Sequence, residues 1–274
     1  MAQATVRTHL ATFLILNYRP PGMTIHFRSL LVKIFVLLLA GITQAYAGEI
    51  RVAVAANFAP TLAEIVSAFE EQTGHQVILA SGSTGKHYAQ ILNGAPFDAF
   101  FAADSARPIL LEEAGIDISN SRYTYAIGRL VLWSPQPGLV DSTGGILSSN
   151  HFRHLAIANP RLAPYGAAAQ EVLEGMLQWE NLQDKLVRGE NINQAFQFVH
   201  SGNAQLGFVA ASQLVDNSKY AQGSRWDVPA ELHSPILQQA IQLTNSEIVR
   251  QFMEFAVTPE AGKIIESNGY ELPQ

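Results

Sequence analysis

The 274-residue chain contains no cysteine, so no disulfide framework can staple it and the fold must rest on its hydrophobic core. It is also short of positive charge, with 17 Lys and Arg against 23 Asp and Glu. That balance excludes the basic footprint a nucleic-acid binder needs. Long apolar runs are missing too. The N-terminal apolar stretch is unbroken only from Ile34 to Ile42, far below the roughly 20 residues that span a bilayer. Internal repeats, low-complexity tracts and charged tails are absent as well.

What is present begins with an address. Arg28 and Lys33 lead into the apolar run, and Ala45-Tyr46-Ala47 follows as an A-x-A cleavage site. We read residues 1–47 as a secretory signal peptide with an extended start, initiation at Met23 and cleavage after Ala47. A membrane anchor is the alternative. Cleavage removes Arg7, Arg19, Arg28 and Lys33 and no acid, which leaves 13 basic and 23 acidic residues and a net charge of −10. The expected location is the periplasm.

Beyond Gly48, strand-like runs alternate with amphipathic helical stretches. Glu49–Ala55 reads as a strand. Pro60–Gln72 reads as a helix, with Leu62, Ile65, Val66 and Phe69 at helical spacing and Gly74 closing it. Gln76–Leu79, Phe97–Ala102, His154–Ala158, Gln205–Ala210 and Gln239–Leu243 read as further strands. Helices are expected near Tyr88–Leu92, Arg107–Ala114, Gly166–Leu177, Asn193–His200, Ser246–Phe255 and Pro259–Ser267. Such units predict an α/β protein with mixed, mostly parallel sheets flanked by helices. Thr124–Trp133 is a longer run, suited to crossing between lobes. The expected division is lobe I from 48–126 plus 211–274 and lobe II from 127–210, with a ligand cleft between them.

Enzyme signatures are wanting. No G-x-S-x-G elbow occurs, and Ser81-Gly-Ser-Thr-Gly-Lys-His87 fails as a phosphate loop because Ala80 and His87 replace its first glycine and its Ser/Thr. His151 and His154 have no carboxylate nearby to complete a metal site, so no metal ligands and no cofactor are expected. Asp98 and Asp104 flank a strand; helix capping is the expected job of Asp104. Three loops after strands stand out instead: Ala55–Phe58, Ser81–Gly85 and Pro160–Gly166. Each leads into a helix, where free N–H groups carry partial positive charge and favour anions. Asn57, Ser83 and Thr84 add neutral donors, a set suited to a fully deprotonated oxyanion. Ordinary turns between strand and helix have the same composition, so the loops alone leave both readings open.

Val52–Phe58, Ser81–Lys86, Tyr88–Asp98, Phe101–Asp104, Tyr125–Trp133, Ile157–Pro160 and Ala163–Gly166, in that order, resemble the periplasmic molybdate-binding proteins of the ModA family. The similarity covers essentially all of the chain from residue 49 onward. It implies a two-lobed periplasmic binding fold of type II that captures molybdate or tungstate and delivers it to a membrane-embedded ABC permease, as a monomer and without catalysis. Carried over by motif, the oxyanion ligands fall on Ala56, Asn57, Ser83 or Thr84, Tyr165 through its backbone N–H, and Ile192. Many relatives carry Ser or Thr where Ala56 stands, which limits Ala56 to its backbone. The competing readings are a binder of sulfate or phosphate, an exported hydrolase, and a sensor of anion levels.

Overall fold

The computed structural model describes residues 48–149, 151–215 and 223–273. The expected signal peptide, its expected cleavage site and the expected start at Met23 lie outside the described residues. Within them the chain forms two five-stranded sheets, each flanked by helices.

The first sheet is seeded by β1 (Glu49–Ala55), whose alternate residues Ile50, Val52 and Val54 are buried. The helix α1 (Ala59–Thr73) follows and buries Leu62, Ile65, Val66 and Phe69, its apolar stripe, against that sheet. Pro60 sits in its first turn and Gly74, at φ 73°, closes it with an N–H to the Glu70 carbonyl. Then come β2 (Gln76–Gly82), α2 (Thr84–Leu92), β3 (Ala99–Ala102), α3 (Ala106–Glu113) and β4 (Tyr123–Gly128). Strand order is β2-β1-β3-β10-β4, with β10 (Ile236–Gln242) running opposite to its neighbours. The C-terminal helices α6 (Glu247–Phe255) and α7 (Pro259–Ser267) complete this lobe.

The second sheet repeats the pattern as β7-β6-β8-β5-β9, with β5 (Leu130–Ser134) the reversed strand. Its other members are β6 (Leu155–Ala158), β7 (Leu186–Gly189), β8 (Leu206–Ala210) and β9 (Ser224–Asp227). Between them lie α4 (Pro164–Gly175) and α5 (Ile192–His200). Four of five strands share a direction in each sheet, which is the mixed, mostly parallel arrangement the sequence predicts.

Two features differ from the sequence reading. The run expected to be one strand over 124–133 breaks at Arg129, and β4 and β5 belong to different sheets on either side of it. The return to the first sheet comes later than residue 211, because β9 pairs with β5 in the second sheet. Its sequence, Ser-Arg-Trp-Asp, buries only Trp226 and carries no apolar alternation to read.

Both lobes are built on buried aromatic and aliphatic groups, each full burial contributing roughly 1.5–3 kcal/mol. Phe58 is fully buried directly after the first loop, its ring 4.4 Å from Tyr125 and 5.3 Å from Tyr270. That cluster anchors the end of β1 and therefore the residues that precede it. Trp133 and Phe196, stacked at 5.5 Å, play the same part in the second lobe.

Candidate oxyanion site between the lobes

The ends of β1 and β2 in the first lobe and of β6 and β7 in the second converge on one small cavity, about 10 Å³ of space open to the centre of a water. Ala56, Asn57, Ser83, Thr84, Tyr165 and Ile192 all line it. Residues far apart in sequence are thus gathered at the carboxyl ends of strands, where loops lead into helices.

The helices explain the chemistry. α2, α4 and α5 begin at the cavity with Thr84, Pro164 and Ile192, and α1 begins just beyond Phe58. Pro164 occupies a first-turn position where a missing N–H loses nothing. Asn191 caps α5, its Oδ1 accepting from Gln194 N at 3.1 Å. Among the described residues the backbone N–H groups of Asn57, Ser83, Thr84, Tyr165 and Ile192 meet no acceptor. Ser83 is 2 % exposed, and its Oγ is buried with no partner. The dipole ends and these donors favour negative charge without any side chain of opposite sign in the lining. His87 adds no cation behind the loop, since burial lowers its pKa and keeps the ring neutral.

Three expectations change at atomic detail. Ala56 lines the cavity, but its N–H donates to the Gly82 carbonyl at 2.8 Å and continues the sheet ladder. It therefore supplies no donor, contrary to its place among the expected ligands. Thr84 Oγ1 accepts from Ala103 N at 3.1 Å and ties α2 to β3, whereas the Ser83 hydroxyl is uncommitted. Asn57 directs its amide nitrogen inward, to Gln238 Oε1 at 2.7 Å and Tyr270 Oη at 3.2 Å, which leaves its backbone N–H as its free donor. Tyr165 and Ile192 line the cavity with backbone N–H groups that meet no acceptor among the described residues.

The lobes meet over the cavity. Gly85 N–H donates to the Leu162 carbonyl at 2.8 Å, Asn193 Nδ2 to the Ala56 carbonyl at 3.0 Å, and Arg107 Nη2 to the Arg161 carbonyl at 3.2 Å. Lys86 pairs with Glu190 across the rim at 3.2 Å. This last contact is half exposed, so it should contribute under about 1 kcal/mol. Lys86→Gln should accordingly change anion affinity by less than about fivefold in calorimetry, with the difference shrinking further at high salt. A larger loss would give Lys86 a direct role in binding.

Asp98 and Asp104 are structural. Asp98 accepts from Arg51 N and Thr244 Oγ1, both at 2.8 Å, and Asp104 accepts from Arg107 N at 3.0 Å in the first turn of α3. Among the described residues no group of three or more His, Asp or Glu is placed to hold a metal ion. Nor is any helix there long and apolar enough to cross a membrane. Sequence reasoning passed over Asn193, Gln238 and Tyr270. The signal for Gln238 was available: β10 carries three glutamines, all nearly buried, in a strand otherwise apolar.

A profile of the bacterial extracellular solute-binding proteins matches residues 50–271. The chain is 47% identical over 245 residues to the molybdate-binding protein ModA of Azotobacter vinelandii, covering 88% of this chain and 97% of that one. To the molybdate-binding protein ModA of Rhodobacter capsulatus it is 46% identical, covering 82% and 89%. The solved structure of the Azotobacter vinelandii periplasmic molybdate-binding protein superposes with a TM-score of 0.79 at 44% identity, covering 82% of this chain and all of that one. The sulfate-binding protein SubI of Mycobacterium tuberculosis shares the fold at a TM-score of 0.68 and 15% identity.

Proposed function

The chain belongs to the bacterial extracellular solute-binding proteins, and from that premise we propose that it captures molybdate in the periplasm and hands it to an ABC permease. Tungstate, of the same shape and charge, is the second expected ligand. The protein acts as a monomer and by reversible binding rather than catalysis. The observation that carries this reading is the convergence of unpaired neutral donors from both lobes on one small cavity. A deprotonated tetrahedral oxyanion offers only acceptors, and this lining offers donors.

The assigned donors are Ser83 Oγ–H and the backbone N–H groups of Asn57, Ser83, Tyr165 and Ile192. Thr84 is assigned to holding the loop rather than the ligand. Discrimination against sulfate follows from cavity size, since metal–oxygen bonds are longer than sulfur–oxygen bonds. The net charge of −6, or −10 once cleavage after Ala47 removes four basic residues, is no obstacle, because the local field of the helix ends outweighs a distant surface charge screened by salt.

The test is calorimetric titration of residues 48–274 with molybdate, tungstate, sulfate and phosphate. Tight one-to-one binding of the first two alone is expected; a response to sulfate or phosphate in their place would overturn the ligand assignment. Ser83→Ala should weaken molybdate binding about tenfold, the effect of one lost hydrogen bond to a charged ligand. Thr84→Ala, tested beside it, should affect thermal stability more than affinity. The opposite pattern would exchange the two assignments.

A further inference from the structure

The carbonyl of Ala56 and the N–H of Asn57 are the two ends of one planar, trans peptide group, so whatever fixes the first aims the second the opposite way. That N–H is one of the free donors of a residue lining the cavity, and Asn57 is 4 % exposed. β1 ends at Ala55, one residue before this peptide. Among the described residues the Ala56 carbonyl meets no donor in its own lobe. Its partner is Asn193 Nδ2, at 3.0 Å from across the cleft. Asn193 is the second residue of α5, directly after Ile192, which lines the same cavity.

The Asn193 amide is itself held. Its Oδ1 accepts from Gln213 Nε2 at 2.8 Å, and Gln213 Oε1 accepts from Ala210 N at 2.9 Å, where β8 ends. A carboxamide can be turned end for end with little change of shape, but this chain allows no turning. It begins at a backbone N–H, which only donates, and ends at a backbone carbonyl, which only accepts. Gln213 must therefore offer oxygen to Ala210 and nitrogen to Asn193. Asn193 must offer oxygen to Gln213 and nitrogen to Ala56. Reversing either amide would set nitrogen against nitrogen at one end and oxygen against oxygen at the other.

We propose that Asn193 is a positioning residue for anion capture: steered by Gln213, its amide takes the Ala56 carbonyl and locks the Asn57 N–H of the same peptide onto the anion. The proposal rests on the capture reading above. Ala210, Gln213 and Asn193 belong to the second lobe and Ala56 to the first, so the lock forms only while the lobes are together. The hydrogen bond to the carbonyl also polarises the peptide and strengthens its N–H as a donor. Closure thus completes a donor that lobe I holds only loosely by itself.

The test compares the wild type with Asn193→Ala, Gln213→Met and the double variant. Alanine is a good helix former at an N-terminal position of α5, so Asn193→Ala should melt like the wild type without ligand. It should weaken molybdate binding about tenfold in calorimetry. Gln213→Met should weaken it less, and the double variant should be no worse than Asn193→Ala, because both interrupt one chain. The deciding readout is the amide spectrum at saturating molybdate. In the wild type the Asn57, Ser83 and Tyr165 amide protons should move downfield on binding. In Asn193→Ala the movement of Asn57 should shrink while Ser83 and Tyr165 keep theirs. Unchanged affinity overturns the proposal. So does weakened affinity with the full Asn57 movement retained, which would reduce Asn193 to a tie between lobes. A wild type that takes no molybdate overturns the capture reading, and this inference with it.

Discussion

Gly128→Ala should weaken molybdate binding by about a hundredfold while leaving the unliganded protein as stable as the wild type. The alanine methyl would stand 2.2 Å from Tyr165 Oη and 2.9 Å from its Cζ, inside any permitted contact. Tyr165 is 1 % exposed and starts a helix, so its ring has no room to retreat. Overpacking of this sort costs about 1–3 kcal/mol, and the upper end corresponds to two decades of affinity. The third neighbour, Gln238 Nε2 at 3.0 Å, is the end of a flexible side chain and can yield. The clash is therefore one between lobes, and it exists only when they are closed. Thermal unfolding decides the matter: the melting temperature without ligand should match the wild type, and the rise on adding molybdate should shrink. An equal drop with and without molybdate would place the methyl in conflict with lobe I itself. Adding Tyr165→Phe should restore part of the affinity, since the nearest heavy atom then recedes from 2.2 to 2.9 Å.

This position shows where sequence reading reaches its limit. The alternation of strands and helices was legible because each element obeys its own period: Ile50, Val52 and Val54 in β1, and Leu62, Ile65 and Phe69 in α1. The loops at Asn57, Ser83 and Tyr165 were legible because they follow strands and start helices. Ile192 came through family resemblance, since its loop has no distinctive composition. β7 was missed because its four residues, Leu-Val-Arg-Gly, are mostly half exposed, and β9 because it is polar. Gly128 and Arg129, where one run divides between two sheets, interrupt the apolar pattern over only two residues, too short a break to mark a change of sheet by itself. The partnership of Gly128 with Tyr165 is a contact between lobes, and no local pattern encodes it.

The same limit separates Asn57 from Ala56. Both lie in one loop and both line the cavity, yet the N–H of Ala56 completes a ladder with Gly82 and that of Asn57 does not. Which N–H is free depends on where β1 stops pairing with β2, at Ala55 opposite Gly82. A site made of backbone donors is thus written in sheet register rather than in residue identity. The tolerance of such a site to sequence change follows directly: substitutions that keep the register keep the donors.

Register is also why Gly166→Ala should damage a helix that propensity says it should improve. Gly166 lies in the first turn of α4, and alanine is about 1 kcal/mol better than glycine inside a helix. A methyl there, however, would meet the Ala158 carbonyl oxygen at 2.3 Å and its carbon at 2.7 Å. Both are backbone atoms at the end of β6 and cannot rotate away. Overpacking against a rigid partner costs up to about 3 kcal/mol, so the clash outweighs the propensity gain by roughly 2. For a chain of this size that is a fall of about 4–8 °C in melting temperature. Relief requires the start of α4 to lift from β6, which moves Tyr165 N–H off the cavity and should weaken molybdate binding as well. Gly175, at the other end of the same helix, has nothing within 4 Å of an added methyl. Gly175→Ala should leave affinity unchanged and stability equal or higher. If both variants raise the melting temperature alike, the close approach of α4 to β6 is not what places Tyr165, and the donor set would have to be explained by the loop from Asn159 to Ala163 instead.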